Sequence, residues 1–463
     1  MHFVGIGGIG MSGIAELLAN LGYVVTGSDE VASDITERLA SRFGIVVHKG
    51  HAASCVAGVE VVVVSAAVRE TNPEVVEARA LGVPVIARAE MLAELMRLRF
   101  SVAVSGAHGK TTTTSMIAVV LERAGLDPTV VIGGRLSAFG SNARLGQGKY
   151  LVAEADESDR SFLKLSPTIA VITNIDQEHM ESYGSFDDLQ QAFVTFANKV
   201  PFYGAVVACA DDPYVSALLP RLTRRVLTYG LSSPDAEIVG TGVELGSFGG
   251  RCTVHRRSGT GGRSTLVSMG ELQVAAPGRH NLQNALAAVA VASEVGVEFS
   301  AVQSALAEFT GAERRFERHG EVDGVLLVDD YGHHPTEIAA VLAAAKVTLN
   351  RRLVVAFQPH RFTRTELLMT EFAQAFRDAD EIVLTDIYPA GEDPIPGVTL
   401  DALAGAMREG GCSVRIARAL SDVIPALLDT ARRGDAVITL GAGSIGTVPR
   451  ALKIALADRE AER

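Results

Sequence analysis

Short β-branched runs alternate with helix-like stretches along nearly the whole chain, and this alternation limits its folds more than any other feature. A strand, a helix and a second strand in series specify a parallel sheet wound by helices. From Met1 to about Arg97 the runs are His2 to Gly5, Tyr23 to Thr26, Val59 to Ser65 and Val83 to Ala87, with helices over Met11 to Leu21 and near Pro73 to Leu81. A second unit opens with the buried strand Ser101 to Ser105 and a helix over Thr112 to Ala124. It continues through Leu151 to Glu154, Thr168 to Thr173, a helix near Phe186 to Val200, and Ala205 to Ala210. Between about Ala236 and Ala276 short alternating strands with Gly-rich turns predict an antiparallel insertion, and helices over Asn281 to Glu294 and Ser300 to Phe309 close the unit. A third unit repeats the parallel pattern with strands at Val325 to Val328, Leu353 to Phe357, Glu381 to Thr385 and Ala436 to Leu440. The expectation is an α/β protein of three domains: a Rossmann-like domain over 1–97, a central P-loop ATPase-type parallel sheet with a small antiparallel insertion over 98–311, and a Rossmann-like C-terminal domain over 312–463. A length of 463 residues suits three domains.

Composition excludes several classes. With 48% hydrophobic and 21% charged residues each domain can bury a core, so the chain is not a disordered one. A net charge of -12, 5% aromatics and no Trp argue against a general nucleic-acid role. Cys55, Cys209, Cys252 and Cys412 are scattered without a C-x-x-C pair, which argues against a disulfide framework and a thiolate zinc site. No apolar run reaches the ~18 residues of a membrane span and no basic leader precedes His2, so a cytoplasmic protein without membrane partner is expected.

An acidic protein can still bind anions where glycine-rich loops meet helix N-termini. Gly5-Ile-Gly-Gly-Ile-Gly10 follows a strand and opens a helix, with Asp29 at the end of the next strand. Taken alone this says NAD, with the acid on a ribose hydroxyl. The motif, however, licenses only a pyrophosphate, which any nucleoside diphosphate carries. A second loop, Gly106-Ala-His-Gly-Lys-Thr-Thr112, is shorter than the strict Walker spacing but keeps its chemistry. Its amides cradle phosphates, Lys110 meets the β/γ oxygens and the Thr111 hydroxyl can hold Mg²⁺. The chain has seven lysines, so one directly after Gly109 is a pointed placement. A third run, Gly441-Ala-Gly-Ser-Ile-Gly446, serves packing and turn geometry as readily as a ligand.

In an α/β sheet, ligands gather outside the carboxyl ends of strands. In the central unit Glu154, Asp156 and Glu157 end one strand, and Asn174, Asp176, Glu178 and His179 end another. Carboxylates near a P-loop threonine suit Mg²⁺. The last unit carries Arg314-Arg315-Phe-Glu317, Asp329-Asp-Tyr331-Gly-His333-His334-Pro335 and Gln358-Pro-His360-Arg361-Phe-Thr-Arg364. The Arg361 and Arg364 forks suit carboxylate or phosphate.

Together these segments resemble the Mur ligases over essentially the whole chain, in order. Gly5 to Gly13, Gly106 to Thr112, Glu154 to Ser158, Asn174 to His179, Gly278 to Asn284, Arg314 to Glu317, Asp329 to Glu337, Gln358 to Arg364 and Gly441 to Ile445 all take part. The P-loop and the Asn174 to His179 segment are shared with folylpolyglutamate synthetases. The first loop, the Tyr331 to Pro335 run and the Gln358 to Arg364 run favour the alanine-adding members. The resemblance implies an ATP-dependent ligase joining L-alanine to UDP-N-acetylmuramate, with ATP as co-substrate and Mg²⁺ as cofactor, acting as a monomer or homodimer. It replaces NAD by UDP in the first domain, with Gly7, Gly8, Ile9, Gly10, Asp29, Ser65, Asn174 and Arg315 on the UDP-sugar. It implies ATP on Gly106, Ala107, His108, Gly109, Lys110, Thr111, Thr112, His280, Asn281 and Asn284, and Mg²⁺ on Thr111, Glu154 and His179. Tyr331 and His333 fall to the amino acid, and Lys110, His333, Arg361 and Arg364 to catalysis. One departure is that Glu178 and Glu181 stand where family members usually carry Asp, which keeps the charge.

The implied chemistry comes from charge. A carboxylate attacking the γ-phosphate meets like charge, which Mg²⁺, Lys110 and loop amides must neutralise. The acyl phosphate is then attacked by the alanine amine, with His333 and Glu178 both open as the base. A ligase for another amino acid or peptide, an NAD-dependent oxidoreductase and a nucleotide-binding regulatory protein are the alternatives.

Overall fold

The computed structural model describes residues 1–461 apart from Ala66, 137–140, His179, 247–248, 259–264, Thr310 and 312–313. The chain forms two compact units. One comprises Met1–Val243, Cys252–Gln273 and Gln283–Thr310; the other comprises Glu244–Arg251, Val274–Leu282 and Gly311–Arg463.

The first unit begins with a five-stranded sheet of β1 (His2–Val4), β2 (Thr26–Asp29), β3 (Val46–Lys49), β4 (Val62–Val64) and β5 (Val85–Ala87), in the order β3-β2-β1-β4-β5. All its pairs are parallel. The order reverses at β1, so the segments leaving β1 and β4 part and leave a crevice beyond their carboxyl ends. Helix α1 (Ile9–Asn20) comes after the first glycine loop and buries Met11, Ile14, Ala15, Leu17 and Leu18. The strand expected over Tyr23 to Thr26 instead starts at Thr26. Tyr23 N donates to Leu18 O (3.0 Å) to close the helix, and Tyr23 and Val24 are exposed, so these strand-favouring side chains occupy a turn and not a strand. Helices α2 (Asp34–Phe43), α3 (Pro73–Ala80) and α4 (Arg88–Arg97) complete the layer.

A ten-stranded sheet comes next: β6 (Phe100–Ser105), β7 (Thr129–Leu136), β8 (Ser141–Arg144), β9 (Tyr150–Glu154), β10 (Ile169–Ile172), β11 (Ala205–Cys209), β12 (Val226–Gly230), β13 (Ile238–Gly246), β14 (Gly249–Ser258) and β15 (Thr265–Val274). Its order is β15-β14-β13-β12-β11-β10-β6-β9-β7-β8. Strands β9, β6 and β10 are adjacent and parallel, so the segments leaving their carboxyl ends emerge on one edge. Their near-continuous burial matches a sheet covered on both faces. Helix α5 (Lys110–Arg123) leaves β6 through the second glycine loop. The segment expected as an insertion forms β13 to β15, consecutive neighbours at one end of the sheet.

The second unit holds β16 (Glu317–Val322), β17 (Val325–Asp330), β18 (Leu353–Phe357), β19 (Glu381–Thr385), β20 (Val414–Ala417) and β21 (Ala436–Leu440), in the order β16-β17-β21-β18-β19-β20. β16 is antiparallel to β17 and the other pairs are parallel. Apolar clusters cover both faces, one around Phe357, Phe372 and Phe376, the other around Val354, Leu427 and Leu452. Sequence periodicity does not reveal β16. It is a half-exposed edge strand of polar residues, and its register shifts between Arg318 and Gly320. Among the described residues no helix is long and apolar enough to cross a membrane, and the four cysteines are unpaired.

Candidate active site

The first glycine loop is shaped from β2. Ser28 O accepts from Gly5 N (2.9 Å) and Ile6 N (3.0 Å), and Asp29 Oδ2 accepts from Gly7 N (2.8 Å). Gly5 has φ +77°, and a Cβ at Gly7 would lie 2.8 Å from Asp29 Oδ2, which explains both glycines. Asp29, expected on a ribose hydroxyl, thus also holds the loop. Ser65, after β4, sits over Gly5, and Gly8 N-caps α1 ahead of Gly10. Ile9 begins α1.

The second loop is clamped from β10. Thr173 Oγ1 donates to His108 O (2.7 Å), Asn174 Nδ2 donates to the same oxygen (2.9 Å), and Asn174 Oδ1 accepts from His108 N (2.8 Å). Asn174, expected on the UDP-sugar, thus also holds the second loop. Ala107 N donates to Asn174 O (3.3 Å). Gly106 (φ +140°) has no room for a side chain, since a Cβ would come within 2.1 Å of Thr173 Oγ1, and a Cβ at Gly109 would meet Asn284 Oδ1 at 2.7 Å. Asn284, expected near the adenosine of ATP, thus stands against the loop. His108 Nε2 lies 3.0 Å from Asp176 and its Nδ1 3.5 Å from Glu178, so the ring is bracketed by two carboxylates.

Lys110, Thr111 and Thr112 form the first turn of α5. Lys110 Nζ donates to Gly106 O (2.6 Å), Ala107 O (3.1 Å) and Glu157 Oε1 (2.8 Å), which uses its three protons. Burial works against its charge, but Glu157 and Asp156 outweigh it and hold the ammonium above its ordinary range. Lys110 keeps its cation at any physiological pH.

Gly8, Gly10, Met11, Ser65, Arg88, Lys110, Glu154 and Asp156 line one cavity of about 330 Å³. The first glycine loop and Lys110, directly after Gly109 of the second, therefore share a single chamber within the first unit. Glu154 and Asp156, with the Thr111 hydroxyl beside Lys110, are hard oxygen donors of the kind Mg²⁺ takes, so these residues fit that ion. His179 lies outside the described residues. Arg88 is absent from the candidates drawn from the sequence, although it comes directly after β5 and obeys the strand-end rule that flagged the others.

In the second unit β17, β21 and β18 are neighbours, and their trailing segments meet. Arg314 Nε donates to Asp329 Oδ2 (2.7 Å), and the guanidinium groups of Arg314 and Arg315 lie over the Tyr331 ring at 5.2 and 5.3 Å. Arg315 is 3.6 Å from Glu337. His333 Nδ1 is 3.0 Å from Tyr331 O, and its ring lies 5.6 Å from His360, which stacks on Tyr388 at 5.5 Å. Arg364 NH1 approaches His360 Nδ1 (3.4 Å), and Arg361 Nε lies 3.9 Å from Glu392. Arg361 holds φ +74°, a strained conformation for a side chain of its size. Burial, then His333 and the two arginines, lower the His360 pKa to about 3, so this imidazole is neutral. His280 is likewise lowered, to about 4, by burial and then Arg315. Asn281 Nδ2 donates to Pro277 O (2.7 Å).

The third glycine run has a packing cause. A Cβ at Gly443 would meet Gln358 Oε1 at 2.6 Å, and one at Gly446 would meet Arg314 Cζ at 2.5 Å.

Three family models match the chain: the Mur ligase family catalytic domain over residues 1–100, the Mur ligase middle domain over 104–292, and the Mur ligase glutamate ligase domain over 314–443. A UDP-N-acetylmuramate–L-alanine ligase of Geotalea daltonii is 53% identical over 96% of this chain and 95% of its own. The chain belongs to the Mur ligase family. The solved alanine ligase of Thermotoga maritima superposes on this Mur ligase with a TM-score of 0.82 at 29% identity, covering 100% of this chain and 99% of the other. A murein peptide ligase of Psychrobacter arcticus gives 0.73 at 25% identity, covering 99% and 98%.

Proposed function

We propose that this Mur ligase joins L-alanine to the carboxylate of UDP-N-acetylmuramate at the expense of ATP, through an acyl phosphate, in peptidoglycan precursor synthesis. The observation that carries the reading is the single cavity shared by a nucleoside-diphosphate loop and the lysine that follows an ATP-type loop. A transfer between two phosphorylated substrates needs that arrangement. The near full-length similarity to an alanine ligase supplies the substrate pair. The murein peptide ligase is less similar, at 25% identity, which favours a single amino acid over a peptide.

In this reading the Gly5–Gly10 loop and Asp29 take the UDP, and the Gly106–Thr112 loop with Asn284 takes ATP. Lys110 neutralises the γ-phosphate as the sugar carboxylate attacks, and in doing so exchanges Gly106 O, Ala107 O or Glu157 for phosphate oxygens. Mg²⁺, held through Glu154 and Thr111, supplies charge neutralisation of the phosphates when bound. Arg315, Arg361 and Arg364 offer cationic forks for the amino-acid carboxylate and the tetrahedral oxyanion. His333, beside neutral His360, and Glu178 are the two candidate bases. The reading carries a cytoplasmic location, where ATP and nucleotide sugars are available.

The test is phosphate release from ATP with Mg²⁺ and UDP-N-acetylmuramate, with and without amino acid. Release requiring both substrates, with an amide product of matching mass for alanine, is expected. Equal rates with alanine, glutamate and a tripeptide would sink the alanine assignment.

A further inference from the structure

Beneath the first glycine loop lies a buried polar cluster that none of the assigned roles uses. Glu74, the second residue of α3, is completely buried, as are Ser28 and His2. Its Oε2 accepts from Ser28 Oγ (2.6 Å) and faces His51 Nδ1 (3.3 Å) and His2 Nε2 (3.6 Å), while Oε1 accepts from Ala52 N (3.2 Å). Burial alone would raise its pKa, yet the neighbouring His2 imidazole and the hydrogen bonds from Ser28 and Ala52 lower it to about 2, so the group is an ionised carboxylate with polar partners at both oxygens. Burying a charge costs free energy, which its polar partners here offset.

Its target lies one bond away. The residue it grips, Ser28, accepts the amides of both Gly5 and Ile6, and the next residue, Asp29, accepts that of Gly7. Three consecutive loop amides thus hang from the two-residue end of β2, and Glu74 is the tie between that end, α3 and the segment after β3. We propose that Glu74 is a positioning residue for the sugar-nucleotide loop: through Ser28 it holds Gly5 to Gly7 in the conformation that receives a pyrophosphate. It touches no substrate itself. The inference rests on the assignment of that loop to the sugar nucleotide.

Glu74→Gln keeps the size but loses the charge, and Ser28→Ala removes only the link, so the second variant decides the matter if the first folds poorly. In hydrogen exchange on the unliganded protein, the Gly5, Ile6 and Gly7 amides should exchange about tenfold faster in either variant, the effect of losing roughly one charged hydrogen bond, while those of Gly106 to Lys110 stay as they were. In turnover, the KM for UDP-N-acetylmuramate should rise about tenfold with kcat and the KM for ATP unchanged. Unchanged exchange at Gly5 to Gly7, or an equal rise in both loops, overturns the inference. Faster exchange there with an unaltered sugar-nucleotide KM upholds the positioning and instead overturns the assignment of that loop to the sugar nucleotide.

Discussion

The two glycine loops of the first unit look alike in sequence, each a strand, a loop and a helix, yet they are built from opposite materials. Gly5 to Gly7 give their amides to a neighbouring strand end, and the cation beside that loop, Arg88 against Gly10, comes from the segment after β5. Gly106 to Gly109 are clamped from outside by Thr173 and Asn174 and are followed at once by a buried lysine tied to Glu157. In the proposed reading the first arrangement binds a pyrophosphate without acting on it, and the second sets a buried positive charge beside a phosphate that must change partners. In that reading glycine spacing marks a phosphate site, while the residue after the loop tells whether chemistry is done there.

If that contrast is right, Lys110→Ala should cut phosphate release on the order of a thousandfold, as loss of a main transition-state cation does, with UDP-N-acetylmuramate affinity by calorimetry nearly unchanged. Comparable losses at both sites would erase the distinction between the loops. Next in size, Gly106→Ala should cost about 3 kcal/mol in denaturant unfolding, because the added carbon meets Thr173 and the Asn174 backbone and φ +140° is foreign to alanine. A stability like that of the parent would mean the clamp is looser than it looks. Asn at position 29 supplies one acceptor oxygen in place of two, and Asp29→Asn should raise the KM for the sugar nucleotide about tenfold while leaving that for ATP alone. A change confined to ATP would reverse the assignment of the two loops. Smallest of all, Gly446→Ala in the third run should cost about 1 kcal/mol, since the added carbon meets the Arg314 guanidinium and must loosen its hydrogen bonds to Asp329 and Gly441 O. A loss of turnover there with stability intact would show that this run does more than make room.

Much of this contrast is legible in the order of residues along the chain. The strand-end rule finds Glu154, Asp156, Glu157 and Asn174, and the alternation of β-branched runs and helices locates the parallel strands β1, β6, β9, β10, β17, β18 and β21. It fails where local character misleads. Tyr23 and Val24 read as strand but lie exposed after a helix end, and β16 reads as loop because an edge strand needs no apolar face. Arg88 escapes notice because Arg97, Arg99 and many other arginines make one more uninformative.

The sequence by itself determined the two glycine-rich loops, the acids that end the strands and the α/β class, because glycine freedom, strand periodicity and helix starts are local properties of a chain. Only the tertiary structure decided partners. Strand order placed Glu157 against Lys110, Asn174 against His108 and Glu74 against Ser28, pairs 47, 66 and 46 residues apart. Such contacts depend on which strands become neighbours, and that is settled by burying whole sheet faces together rather than by any one segment.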